Sequence, residues 1–235
     1  MNKQELAGKI WTLANDLRGK VSAATYKDYM LGFLFYKYLS DREESYLIDK
    51  LEYEKDELAK EITEENEPIK KNCMDNLGYF IAYKNLFSTW VNLEEFSIEN
   101  VTVALRAFDR YIGSGYKRVF EDIFSTLSTR LTELGTTDPE RTKNSREIIK
   151  LVKTIPTDNK EDYDVLGFIY EYLLKNFAAN AGKAGEFYTP HEVSVLMAEI
   201  IAWNLRGKEE ISIYDPTSGS GSLLINIGQA ITKYL

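Results

Sequence analysis

Seventeen residues, "TYKDYMLGFLFYKYLSD" from Thr25 to Asp41, constrain this chain more than any other stretch. Between Tyr29 and Leu39 apolar side chains cover nearly the whole circumference of a helix, and no proline interrupts them. A helix that is apolar all round has no face to offer water, so the sequence predicts one buried in the middle of a bundle. The neighbouring segments fit that frame. "LAGKIWTLANDLRG" sets Leu6, Ile10, Leu13 and Leu17 on one stripe at helical spacing. "LGYFIAYKNLFSTWVNL", "ENVTVALRAFDRYI", "VFEDIFSTLSTRL" and "SREIIKLVKTI" read as further helices, with Gly and Pro sparse and no strand-like alternation competing. The fold class is therefore mainly α, with residues 1–155 forming a helical N-terminal bundle. "PTDNKEDYD", from Pro156 to Asp164, is a polar joint.

Composition narrows the functional classes. A chain of 235 residues buries roughly 70% of the surface its unfolded form exposes, enough for a substantial core. One cysteine, Cys73, allows no internal disulfide, and one histidine makes a zinc site implausible; a reducing, cytoplasmic setting fits both. No window approaches the apolar length of a membrane span. The net charge of −8 argues at first against a nucleic-acid partner, but residues 41–72 hold 12 acidic and 6 basic groups. That run alone accounts for most of the excess and reads as a solvated helix surface, so net charge leaves the partner open.

After the joint the pattern changes. "DVLGFIYEYLLKNFAA" is a helix, "NAGKAGEFYTP" a glycine-containing loop, and "HEVSVLMAEIIAWNL" a second helix. Ile211 and Ile213 then alternate with polar neighbours up to Asp215, which predicts a short strand. "PTSGSGS" and the apolar "LLINIGQAI" complete a strand–glycine loop–helix unit, the way an open α/β sheet begins.

The glycine loop lacks the Lys-Ser/Thr pair of a phosphate-binding P-loop, since Ser222 follows Gly221. It also lacks the third glycine of a dinucleotide fingerprint. What remains is a loop in which Gly219 and Gly221 allow close approach to a ligand, over a helix N-terminus that favours a carboxylate. Asp215, at the strand's end, is placed for a cationic amino group. A ligand carrying both charges, an amino-acid moiety such as that of S-adenosylmethionine, suits the pair; a plain strand-to-helix turn explains the same residues equally well. In the other motif Thr189 is a suitable N-cap, Pro190 a suitable first helical residue and Glu192 the acid of a capping box, with Tyr188 and Val193 as its hydrophobic staple. Capping accounts for the helix but not for "GKAGEF" before it. His191 reads as a surface residue of the first turn, and no catalytic or metal-binding residue is assigned.

"GEFYTP" and "DPTSGSGSLL", in that order and one helix apart, resemble the modification subunit of type I restriction–modification systems, a family that methylates the exocyclic amino group of adenine in DNA. "YKDYMLGFLFYKYLSD" and "DVLGFIYEYLLKNFA" are similar to its helical N-terminal domain and to the junction with its catalytic domain, so the resemblance covers nearly the whole chain. It implies that residues 156–235 begin a Rossmann-like S-adenosylmethionine-binding domain. It also implies that the methionine part of the cofactor is wrapped by Glu186, Phe187, Tyr188, Thr189, Pro190 and His191, and by Asp215, Thr217, Ser218, Gly219, Ser220 and Gly221. Ser218 stands where relatives often have a cysteine or another small residue. The implied partners are DNA, the specificity and restriction subunits of the type I complex, and a second modification subunit.

One part of the family pattern is missing. Its chemistry uses an Asn-Pro-Pro-aromatic loop around the flipped adenine, whereas Pro68, Pro139, Pro156, Pro190 and Pro216 are all isolated. The chain is therefore expected to be an N-terminal, incomplete portion of such an enzyme, unable to methylate DNA alone. The alternative is an interaction module, a helical scaffold that docks to a specificity subunit or DNA and binds no cofactor. "RTKNSREIIKLVK", with Arg141, Lys143, Arg146, Lys150 and Lys153, is the best basic cluster; it reads either as a phosphate contact or as a solvated helix face.

Overall fold

The structure, a computed structural model, describes residues 2–16, 23–157, 165–173, 176, 189–218 and 221–234. The chain forms two compact units, Met1–Gly182 and Lys183–Leu235. The first contains α1 (Lys3–Asp16), α2 (Ala23–Asp49), α3 (Leu58–Glu61), α4 (Glu67–Asn76), α5 (Phe87–Asn92), α6 (Ile98–Arg110), α7 (Lys117–Phe120), α8 (Ser125–Arg130), α9 (Asp138–Lys153) and α10 (Val165–Leu173). Among the described residues the only β pairing is an isolated antiparallel bridge between Tyr79 and Ile112. The mainly α expectation holds.

The all-round apolar helix is the axis of this unit. Tyr29, Met30, Phe33, Leu34, Tyr36 and Leu39 of α2 are buried, and α2 packs against α5, α8 and α9. The Tyr36 ring stacks on Trp90 at 4.6 Å between centroids and meets Phe124 at 5.3 Å. The run is a core and not a base-stacking platform. Each buried tyrosine hydroxyl finds a backbone carbonyl: Tyr26 donates to Ile10, Tyr29 to Arg130, Tyr36 to Asn85 and Tyr79 to Leu39. This is the arrangement that lets a tyrosine bury its ring without stranding its O–H. Gly32 explains why α8 comes so close, since a Cβ there would lie 2.9 Å from Leu127. The predicted stripe on α1 is seen at Leu6 and Ile10, both fully buried; the Leu13 side chain and Leu17 fall outside the described residues.

Most acids of the stretch 41–72 are exposed, as expected of a solvated surface, and the departure is at its start, where Glu43 is buried and Asp41 and Glu44 are partly covered. Residues 77–82 run through the core without regular structure, and their backbone groups need partners that no helix ladder supplies. Backbone carbonyls take some of the N–H groups, Cys73 those of Leu77 and Gly78 and Tyr111 that of Phe80, and side chains of α2 take Ile81 here and Phe87 beyond it. Both Glu43 oxygens accept the Ile81 N–H, at 2.9 and 3.1 Å, and Ser40 Oγ accepts that of Phe87 at 2.8 Å. Ser88 donates to Glu44, while Asp41 takes hydrogen bonds from buried Lys37 and from Thr157, where the polar joint begins. Glu43 is wholly buried, and desolvation, opposed by the Ile81 N–H and assisted by Glu44, pushes its carboxyl well above the usual range.

α10, which follows the joint in sequence, places Val165, Ile169 and Leu173 in the core of the first unit. The second unit contains α11 (His191–Leu205) and α12 (Ser222–Ile231). Ser194, Ala198 and Ala202 recur every four residues along α11 and are buried with Ile227 and Ala230 of α12. Small residues at that spacing let the second helix approach closely. The other side of α11 exposes Val193, Leu196, Met197, Ile200 and Trp203. The predicted strand from Ile211 to Asp215 is not formed as one, because a strand requires a paired neighbour and none lies beside it among the described residues.

Candidate functional site

The separations of the contacting pairs reveal how α11 and α12 run. Asn226 Nδ2 donates to Ser194 Oγ at 2.8 Å, and Lys233 and the Tyr234 hydroxyl both reach Glu199. These partners lie 32, 34 and 35 residues apart, a nearly constant offset along both helices. The helices are therefore parallel. Since Ser194 and Asn226 each stand in the first turns of their helices, the two N-termini lie at one end of the pair. Thr189, Pro190 and His191 lead into α11 there, and Gly221 leads into α12.

The entry to α11 differs from the expected capping box. The helix begins at His191 with Pro190 in the cap position, φ −54° and ψ 143°, and no side chain caps it. The Pro190 carbonyl accepts the N–H groups of Val193 and Ser194, each at 3.0 Å. The helix thus starts one residue later than the box requires, and Thr189 precedes the cap position instead of filling it. Thr189 is half-buried, and Pro190, His191 and Glu192 are exposed. Glu186, Phe187 and Tyr188 lie outside the described residues, as do Gly219 and Ser220.

The second motif is ordered around Asp215. Its Oδ1 accepts the Thr217 N–H at 2.9 Å and lies 3.4 Å from the Thr217 hydroxyl, which closes a short side-chain turn. Its Oδ2 is buried and has no hydrogen-bond partner among the described residues. A carboxylate oxygen in that condition is unfavourable unless something donates to it. Downstream, the Gly221 N–H donates to the Ser218 carbonyl at 2.7 Å, and Gly221 adopts φ +74°, ψ 7°. A side chain is disfavoured in that left-handed conformation, so glycine here is a backbone requirement. Ser222 then opens α12, whose first N–H groups have no helical acceptors.

An acceptor in need of a donor thus precedes α12, whose N-terminus lies at the same end of the pair as that of α11. An amino acid, with ammonium and carboxylate on one carbon, matches both features. Ser194 and Asn226 hold that end together and were not singled out from the sequence. The available signals were an asparagine inside an apolar helix and a serine continuing the Ala198–Ala202 stripe.

The basic cluster is divided by the structure. Arg141 donates to the Thr132 and Gly135 carbonyls and pairs with Asp138 at 2.8 Å. Arg146 donates to the Leu93 carbonyl at 2.6 Å and covers the Phe96 ring. Both guanidinium groups are used in tying α9 to its neighbours, and Lys143, Lys150 and Lys153 remain exposed. Cys73 is buried, and burial together with the nearby Glu43 pushes its thiol upward, away from reactivity.

Comparison with known proteins bears on both units. Residues 6–152 match the family described as HsdM N-terminal domain, and residues 161–234 match N-6 DNA Methylase. The Type I restriction enzyme MpnII methylase subunit of Mycoplasma pneumoniae is 32% identical over 243 residues, which cover 96% of this chain and 44% of that protein. The MjaIX methylase subunit of Methanocaldococcus jannaschii is 25% identical, over 94% of this chain and 39% of its own length. Among solved structures, a type I restriction–modification methyltransferase subunit from Streptococcus thermophilus superposes with a TM-score of 0.79 at 31% identity, covering 98% of this chain and 50% of that one. The chain spans half or less of the length of these relatives.

Proposed function

The chain belongs to the family of type I restriction enzyme methylase subunits, and from that premise we propose that it is the N-terminal portion of a site-specific DNA adenine methyltransferase. Residues 1–155 are the helical domain in this reading, and residues 156–235 begin the Rossmann-like domain that takes S-adenosylmethionine. The chemistry the cofactor supplies when bound is an electrophilic methyl group, destined for the exocyclic amino group of adenine. The part of this chain is to hold the amino-acid end of the cofactor. Asp215 Oδ2 would accept from its ammonium, the N–H groups at the start of α12 would suit its carboxylate, and Gly221 would keep side-chain bulk away. Thr189, Pro190 and His191, with Glu186, Phe187 and Tyr188 before them in sequence, and Thr217, Ser218, Gly219 and Ser220 would supply the remaining contacts to it.

The observation that supports this reading is the buried Asp215 oxygen, unpartnered among the described residues, in the loop that leads into α12. No two prolines adjoin in the sequence, so the adenine-holding loop of the family is supplied by other residues than these, and this chain alone leaves DNA unmethylated. DNA, a specificity subunit, a restriction subunit and a second modification subunit are the partners of the complete protein, which works in the cytoplasm. Among the described residues no helix is long and apolar enough to cross a membrane.

Calorimetry on the full-length enzyme tests the site. Asp215→Ala should weaken S-adenosylmethionine binding by tenfold or more, the loss expected for a charge-assisted hydrogen bond, while the melting temperature stays close to wild type. Equal affinities would remove Asp215 from the site. A wild-type enzyme that binds no cofactor would favour the interaction-module alternative.

A further inference from the structure

The exposed face of α9 reverses the charge of the rest of the molecule. Residues 141–153 carry five cations and one anion in a chain of net charge −8. Arg141 and Arg146 are bound to backbone carbonyls, so the outward charge is that of Lys143, Lys150 and Lys153. At 100° per residue these three fall within about 80° of arc, opposite the buried Ser145, Ile148, Ile149 and Val152. Along the axis they span roughly 15 Å at 1.5 Å per residue.

Elsewhere in the same unit, surface lysines sit beside carboxylates. Lys70 lies 2.6 Å from Glu67, Lys71 3.1 Å from Asp75, and Lys84 2.8 Å from Glu64. Among the described residues none of the three α9 lysines has an ion-pair partner. The helix positions three or four residues from them hold two acids, Glu140, whose carboxylate accepts from the Thr136 N–H and hydroxyl, and half-buried Glu147. Three cations concentrated on one ridge with so little neutralisation repel one another, which a polyanion relieves.

We propose that Lys143, Lys150 and Lys153 form a phosphate-contacting ridge that lies along one backbone strand of duplex DNA. The proposal rests on the reading that the protein acts on DNA. At 3.4 Å per nucleotide along the helix axis, a ridge of this length spans about four phosphates of one strand, and three lysines can neutralise three of them without reading bases. The ridge contributes affinity and orientation, whatever the sequence recognised.

The test is a salt titration of binding to a fluorescein-labelled duplex, using the wild-type protein and the triple variant Lys143→Gln, Lys150→Gln, Lys153→Gln. Each lost phosphate contact should reduce the steepness of log K against log salt by about 0.9, so the triple variant should be shallower by roughly 2.7. A second triple variant with arginine at the three positions keeps the charge and should retain the wild-type slope. The substitutions are exposed, and matching thermal melts exclude unfolding. If the wild type binds duplex and the glutamine variant differs in slope by less than one contact, the ridge is not the phosphate surface. If the wild type binds no duplex even at low salt, the DNA reading itself fails, and the ridge with it.

Discussion

Glu43→Gln should change how the stability of the helical unit responds to pH, and the direction follows from burial. Glu43 is fully enclosed on α2, and desolvation is the largest influence on its carboxyl, holding it well above the usual range. The unfolded chain releases this proton at about pH 4.3, whereas the native chain keeps it. Above that pH the native state binds one more proton at this position than the unfolded state does. Stability is then fully present below the unfolded pKa and declines as pH rises towards the folded one. The decline is about 1.4 kcal/mol for each pH unit over which the native carboxyl stays protonated. Glutamine cannot ionise, and its carbonyl oxygen can still accept the Ile81 N–H. The variant's curve should therefore lack this slope, and the difference between the two proteins should widen steadily above pH 5. Any penalty for orienting the new amide is independent of pH and appears as a constant offset, so the slope is the quantity to read. Urea denaturation followed by Trp fluorescence, from pH 5 to 8, provides it. Parallel curves would mean that Glu43 is ionised in the native state, which would refute its burial as a neutral acid.

Three further substitutions probe the packing and the site. Gly32→Val should destabilise the helical unit by about 1–3 kcal/mol, since a Cβ meets Leu127 at 2.9 Å; an unchanged urea midpoint would show that α8 yields without strain. Asn226→Ala removes the amide that donates to the buried Ser194 hydroxyl and should cost on the order of 1 kcal/mol, with earlier hydrogen exchange at the starts of α11 and α12; unaltered protection would separate the pair from the alignment of the helices. Gly221→Val, at φ +74°, should strain the turn by roughly 1–2 kcal/mol and weaken cofactor binding in the full-length enzyme, and wild-type affinity would show that the turn adapts.

The apolar pattern of Tyr29 to Leu39 was sufficient to place α2 at the centre, because a period-free apolar helix has one kind of environment open to it. The inward carboxylates were not legible in the same way. Composition marks residues 41–72 as acidic, but whether Glu43 faces water or a buried N–H depends on Ile81, 38 residues away. Thr137 and Thr189 make the same point about local signals. Both precede a proline and a glutamate three residues on, yet only Thr137 caps its helix, accepting the Glu140 N–H at 3.4 Å. The proline stands second after Thr137 and first after Thr189, and where it stands first it takes the cap position itself.

The site was legible as two motifs but not as one place. Sequence left two readings open at the glycine loop, a plain turn with no ligand or an amino-acid moiety, and disfavoured a nucleotide phosphate for want of the lysine and the third glycine. The parallel run of α11 and α12 adds two helix N-termini at one end, which by themselves would suit phosphate as well as carboxylate. Asp215 separates the two. A phosphate beside its buried oxygen would place two anions together with no donor between them, raising the energy of a group already short of a hydrogen bond. An ammonium relieves that oxygen while its neighbouring carboxylate takes the helix N–H groups. The orphaned acceptor therefore weighs against the phosphate alternative and supports the amino-acid end of S-adenosylmethionine as the ligand whose charges fit in both places.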